Sequence, residues 1–146
     1  MTKKLIFGCG YLGMRIARLW QRAGDTVYAV TRTAERTPEL RRAGIIPLVG
    51  DICDPASIVD LPQAQTVLLA VGYDRASGHS IHRVYVEGLV NMLRVLSPEV
   101  ERFIYISSTG VYGQSDGTWV DEDSECQPVR AGGVAVGGYL RRAKLT

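Results

Sequence analysis

Residues Leu5-Ile6-Phe7-Gly8-Cys9-Gly10-Tyr11-Leu12-Gly13 set three glycines in G-x-G-x-x-G spacing, directly after a short apolar run and directly before an amphipathic one. Without side chains at Gly8 and Gly10 the backbone can turn tightly and come close to a pyrophosphate, while Gly13 lets the following helix pack closely on its strand. The unpaired N–H groups and positive dipole end of that helix then face the phosphates. Gly8, Cys9, Gly10, Tyr11, Leu12 and Gly13 therefore form the candidate phosphate-binding segment. The competing reading is a glycine-rich turn in an α/β protein that binds no nucleotide.

A second chemical signal closes the next apolar run. A site preferring NAD usually places Asp or Glu there, on the ribose hydroxyls, whereas this chain has Thr31-Arg32-Thr33. A carboxylate would repel a 2′-phosphate. Arg32 can instead form a charge-assisted fork with it, with Arg36 close enough to assist, so NADP is expected in preference to NAD. Both arginines also read as solvated loop cations. Two further run ends belong to the same crevice, Gly50-Asp51-Ile52 and Ala70-Val71-Gly72. Asp51 can accept from an adenine amino group with Ile52 flanking the ring, and Val71-Gly72 can line the ribose. Asp51 reads equally well as a turn or helix-capping carboxylate ahead of Asp54-Pro55.

The elements that must position these residues follow from periodicity. Leu12, Ile16, Leu19, Trp20 and Ala23 recur at helical spacing, with Arg15, Arg18 and Arg22 opposite, as a helix covering a sheet requires. Gly24-Asp25 supplies a helix stop, and Thr26-Val27-Tyr28-Ala29-Val30 reads as a buried strand. Onward, short Val/Ile/Leu-rich runs alternate with longer helical patterns, the signature of right-handed βαβ units. Strands are expected near 4–8, 26–31, 45–49, 65–70 and 102–107, and helices near 12–23, 35–43, 55–60 and 79–96. The last helix carries Ile81, Tyr85, Leu89, Met92, Leu93 and Leu96 on one face. The expected fold is α/β, a doubly wound Rossmann-type parallel sheet of about five strands in order 3-2-1-4-5, flanked by helices.

A length of 146 residues suits one domain, here expected as a core over about 1–113 followed by a loop and tail over 114–146. With 17 basic and 15 acidic residues there is no general electrostatic case for nucleic acid or an anionic membrane. The three cysteines, Cys9, Cys53 and Cys126, are at no metal-ligand spacing, and no secretory signal or bilayer-length apolar run is present. A reducing cytoplasm is expected, with no metal. Cys9 reads as a small filler of a tight loop or as a redox-sensitive thiol at the phosphate turn.

Gly8-x-Gly10-x-x-Gly13, Gly50-Asp51-Ile52 and the stretch Phe103-Ile104-Tyr105-Ile106-Ser107-Ser108-Thr109-Gly110-Val111-Tyr112-Gly113 together resemble the extended or atypical short-chain dehydrogenase/reductase superfamily. More narrowly the chain is similar to the NAD-dependent epimerase/dehydratase family, over about its first 115 residues. The resemblance implies a catalytic Ser or Thr at Ser108, which would help position and polarise a substrate carbonyl or hydroxyl, with Tyr112 nearby. Without the family, Ser107, Ser108 and Thr109 are ordinary hydroxyls at a strand end.

The family's chemistry also needs a tyrosine as acid/base and a lysine four residues later, which lowers the tyrosine pKa and holds the nicotinamide ribose. Counting from Ser108, the tyrosine is due near Gly132 or Gly133, where the sequence reads Arg130-Ala131-Gly132-Gly133-Val134-Ala135-Val136-Gly137. Tyr139 and Lys144 come late and five apart, and read as a chance pair. His79 and His82 open the 79–96 helix and read as surface or capping residues. A family member would continue into a substrate-binding region, so the expectation is a truncated or minimal dinucleotide-binding protein, or a site completed by a second chain. An apolar strand over 102–107 would then lie at a sheet edge, and a homodimer is expected to cover it or the apolar face of the 79–96 helix.

Two function classes remain. One is an NADP-dependent oxidoreductase or epimerase acting on a small carbonyl or sugar-nucleotide substrate, using Ser108 with an unorthodox acid. The other binds NADP(H) without turnover, as a redox sensor or accessory protein; it is favoured because the glycine turn is intact and the acid/base pair is missing from its place. The polar loop Gly72-Tyr73-Asp74-Arg75-Ala76-Ser77-Gly78 stands at the crevice mouth and suits a substrate or a partner.

Overall fold

The computed structural model describes residues 1–135 and Gly137. The apolar runs form five parallel strands, β1 (Lys3–Phe7), β2 (Thr26–Thr31), β3 (Ile46–Val49), β4 (Thr66–Leu69) and β5 (Arg102–Tyr105), in the expected order 3-2-1-4-5. Register places Leu5 of β1 opposite Tyr28 of β2 and Val67 of β4. All four residues of β4 are buried, which is why Thr66-Val67-Leu68-Leu69 reads as a continuous apolar run and not as an alternation. Pro47 lies in β3, at the edge of the sheet, where the missing N–H costs no ladder bond on the outer side.

Side-chain alternation along β1 builds two cores. Leu5 and Phe7 join Val30, Val67, Leu69, Leu89 and Met92 on one face, while Ile6 joins Ala17, Val27, Ala29, Leu40 and Leu68 on the other. The second face is covered by α1 (Tyr11–Arg22) and α2 (Thr37–Arg42). Gly24 ends the α1 unit at φ +87, with Gly24 N–H donating to Gln21 and Asp25 N–H to Trp20.

The helical expectations need three adjustments. The stretch expected as helix 35–43 begins as a 3₁₀ turn, Ala34–Arg36, before α2 starts at Thr37-Pro38. The 55–60 helix is a 3₁₀ turn, Pro55–Ile58, capped by Asp54, whose carboxylate accepts from Ala56 N–H at 3.2 Å. The 79–96 helix runs from 81 and contains a π-helical turn, Arg83–Glu87, ahead of α3 (Gly88–Val95). Its inward stripe is Val84, Gly88, Leu89 and Met92, and Leu93 sits at the margin with 37% of its surface exposed. Because this stripe is packed on the sheet, the apolar face of the 79–96 helix is no longer available as a dimer surface. The outer edge of β5 has no strand partner among the described residues.

Candidate functional site

The carboxyl ends of β1, β2 and β4, with the segment after β3, converge on a cavity of about 260 Å³. The glycine turn forms one wall through Gly8, Cys9 and Gly10; Thr31, Arg32 and Arg36 form a second; Asp51 and Ile52 form the third; and Val71 and Gly72 close the fourth. Residues far apart in sequence meet here because all the strands point the same way.

The three motif glycines do different work. Gly8 has φ +84, and a Cβ there would lie 2.5 Å from the carbonyl oxygen of Ala70. Gly13 lets α1 press on β1, since a Cβ would come 2.7 Å from the Gly8 carbonyl oxygen. Gly10, the residue capping α1, faces open space: an added Cβ would meet nothing within 4 Å. No side chain caps this helix, so the first-turn N–H groups beside Gly10 are left for water or a ligand. That combination fits a phosphate group. Leu12 lies on a larger adjoining groove, and Tyr11 is exposed with the Arg15 guanidinium 3.9 Å from its ring centre.

Cys9 is buried, its Sγ 3.5 Å from Met14 Sδ, and burial pushes its thiol up to about 11. It fills the turn as a small apolar group. Arg36 donates to the Cys9 carbonyl at 3.1 Å and meets Glu39 at 3.4 Å, so it braces the glycine turn. Arg32 donates to Asp74 at 2.7 Å across the cavity mouth. Asp51 is engaged as a turn carboxylate, Oδ1 accepting from Cys53 N–H at 2.8 Å, while its Oδ2 faces His79 Nε2 at 4.0 Å. Sequence reading missed Asp74 and His79 as cavity-lining residues; the only local hint was the polarity of the 72–78 loop.

A groove of about 960 Å³ continues from Val71 and Gly72 toward the β5 end. Ser108 lies in its wall, exposed, with its Oγ accepting from Gly110 N–H at 3.1 Å as a local turn cap. Tyr112 also lines it, but its hydroxyl donates to the Asp121 carbonyl at 2.8 Å. Tyr73, Tyr85 and Tyr105 add phenols to the same groove; Tyr85 Oη accepts from Tyr73 N–H at 3.0 Å, and burial followed by the proximity of Tyr85 raises the Tyr105 phenol.

A short helix over 131–135 brings Gly132 and Gly133 to the wall of the same groove, with Gly133 against Gly110. A Cβ on Gly133 would overlap the Gly110 carbonyl oxygen, so this position is packed backbone to backbone. A Cβ on Gly132 would meet only the Tyr85 ring, at 3.9 Å. Tyr139 and Lys144 lie outside the described residues. Among the described residues no cluster of His, Cys, Asp and Glu is arranged to hold a metal, and no helix is long and apolar enough to cross a membrane.

The model of the NAD dependent epimerase/dehydratase family matches residues 5–134. Protein YeeZ of Escherichia coli (strain K12) is 29% identical over 139 residues, covering 91% of this chain and 50% of YeeZ. Among solved structures, the Bordetella bronchiseptica enzyme WbmG in complex with NAD and UDP is similar with a TM-score of 0.79 at 18% identity, over 99% of this chain and 50% of WbmG. A functionally unknown conserved protein from Silicibacter pomeroyi DSS gives 0.72 at 22% identity, over 99% of this chain and 48% of that one. The chain spans about half the length of the relatives it matches.

Proposed function

This chain belongs to the NAD dependent epimerase/dehydratase family, and from that premise we propose that it binds a nicotinamide dinucleotide in the β1–α1 crevice, prefers NADP(H), and holds it without turning it over by the family's tyrosine-lysine chemistry. The observation that carries the reading is the open space at Gly10 beside the uncapped start of α1. A pyrophosphate placed there would be met by backbone N–H groups and the helix dipole. Asp51 and Ile52 would flank the adenine, Val71 and Gly72 its ribose, and Thr31, Arg32 and Arg36 the 2′-position.

The preference for NADP rests on charge. A guanidinium fork suits a phosphate dianion, and no acidic residue stands at the end of β2 to hold ribose hydroxyls. WbmG, in its complex with NAD and UDP, supports a dinucleotide in this kind of fold. The dinucleotide, once bound, would supply hydride chemistry at its nicotinamide. Of the chain's own residues, Ser108 would hydrogen-bond a carbonyl or hydroxyl in the large groove. The sequence offers no tyrosine at 132 or 133 to exchange a proton with it.

A second reading is an active NADP-dependent oxidoreductase or epimerase. The size of the groove beside Ser108, and the tyrosines lining it, favour that reading. Both readings place the protein in the cytoplasm, where free NADP(H) is available.

Parallel calorimetric titrations with NADPH and NADH at one stated ionic strength test the proposal. Micromolar NADPH binding with much weaker NADH binding is the expected result, and Arg32→Asp should abolish the difference. Binding of neither dinucleotide, or an unchanged NADPH affinity in Arg32→Asp, would overturn it. Screening carbonyl and sugar-nucleotide substrates against the NADPH-loaded protein then separates the two readings.

A further inference from the structure

Arg32 and Asp74 reach the cavity mouth from different walls. Arg32 follows β2, Asp74 lies in the loop after β4, and Arg32 Nη2 donates to Asp74 Oδ2 at 2.7 Å. Both side chains keep about half of their surface exposed, at 48% and 44%, so a solute can reach the bond between them. The carboxylate is aimed, not loose. Its Oδ1 accepts from Ala76 N–H at 2.9 Å, and the Asp74 backbone carbonyl accepts from Ser77 Oγ at 2.7 Å, which fixes the start of the turn Arg75–Ser77. The Arg32 guanidinium beside Asp74 is the main reason its carboxyl is held below the usual carboxylate range.

A guanidinium presents the same fork to a carboxylate and to a phosphate. We propose that Asp74 is an internal competitor for a 2′-phosphate at Arg32, a specificity-determining carboxylate that sets how strongly the crevice prefers a 2′-phosphorylated dinucleotide. This rests on the reading of Arg32 as the 2′-phosphate group's partner. A 2′-phosphate must open the Arg32–Asp74 bond before it can take the guanidinium, and the carboxylate left beside it repels the incoming dianion. An unphosphorylated ribose does not contest the bond, and Arg32 stays tied to Asp74. Arg36 keeps its own partners, the Cys9 carbonyl and Glu39, and would flank the 2′-position without taking part in the Arg32–Asp74 exchange.

The test uses the whole chain, with 2′,5′-ADP and 5′-AMP as probes that differ in the phosphate alone. The wild type, Asp74→Asn and Arg32→Ala are titrated calorimetrically at one ionic strength, with melting curves to establish that each is folded. Asn keeps an oxygen for Ala76 N–H, so the loop is retained. Asp74→Asn is expected to bind 2′,5′-ADP about two- to fivefold more tightly, the range that loss of an exposed ion pair implies, and to bind AMP as the wild type does. An unchanged or weaker affinity for 2′,5′-ADP in Asp74→Asn overturns the proposal. Weaker AMP binding in that variant also overturns it, since Asp74 would then be holding the ribose. If the wild type prefers 2′,5′-ADP, and Arg32→Ala removes that preference while Asp74→Asn leaves it unmoved, Arg32 remains the phosphate's partner and only the competition is lost. If the wild type shows no preference and Arg32→Ala changes nothing, the reading of Arg32 falls and takes the competition with it.

Discussion

Gly8 is pressed against Ala70: a Cβ on Gly8 would lie 2.5 Å from the Ala70 carbonyl oxygen and 2.7 Å from Val71 N, so the end of β1 and the end of β4 touch backbone to backbone. Two residues on, Gly10 has φ −84 and open space before it. The two glycines are therefore separable by experiment. Gly8→Ala is expected to cost about 1–3 kcal/mol of folding stability, from left-handed φ and a backbone clash. Gly10→Ala is expected to melt within a few degrees of the wild type and to lose dinucleotide affinity, because its methyl group would occupy the phosphate cradle. Urea melts and NADPH titrations of both variants check this. A destabilised Gly10→Ala, or one that binds NADPH normally, would count against the cradle.

Gly132 and Gly133 differ in the same way. Gly133→Ala drives a methyl into the Gly110 carbonyl and should loosen the 131–135 helix from the Ser108 segment, whereas Gly132→Ala meets only the Tyr85 ring. Hydrogen exchange over 108–113 is the readout, with faster exchange expected in the first variant alone. Equal exchange in both would mean that the contact holds nothing in place.

The Cys9 thiol, pushed up to about 11 chiefly by burial, should be nearly inert to iodoacetamide in the native protein at pH 8, since the thiolate is the nucleophile. The sign for stability follows from proton binding. Between pH 9, the ordinary value, and about 11, the unfolded chain has lost a proton that the folded chain keeps. This contribution is therefore full below pH 9 and is lost as pH rises toward 11. Mass-spectrometric mapping of alkylation, with a pH series of urea melts, tests both statements; rapid labelling of Cys9 at neutral pH would refute the first.

β5 carries Phe103 and the following Ile106 with 37% of each surface exposed, next to a row of backbone groups without a strand partner among the described residues. Such an edge pairs readily with another chain. A homodimer through β5 is the expected state of the 146-residue chain at micromolar concentration, and replacing Phe103, whose N–H faces away from β4, by proline should weaken it. Light scattering decides; a monomer across that range rejects the interface.

Much of the fold was legible because its signals are local. The strand-turn-helix-strand unit over 4–31 announces itself through a buried run, a glycine turn and a 3.6-residue stripe, and the structure places it there within a residue. The π turn at Arg83–Glu87 was not legible. It adds a residue to one turn of an otherwise regular helix, and the apolar pattern Val84, Leu89, Met92 is compatible with either winding. The 55–60 stretch reads as a helix but is the 3₁₀ turn Pro55–Ile58, because a capping acid followed by Pro begins both kinds of element.

The sequence by itself determined the parallel α/β class, the strand order expected of a Rossmann unit, and the glycine turn, because side-chain periodicity and turn chemistry depend on neighbours along the chain. Only the tertiary structure decided which groups meet across the crevice. It tied Arg32 to Asp74, 42 residues away, set His79 beside Asp51, committed the Tyr112 hydroxyl to the Asp121 carbonyl, and packed Gly133 onto Gly110. Those contacts depend on register and on the paths of loops after separate strands. No spacing within a single element encodes them.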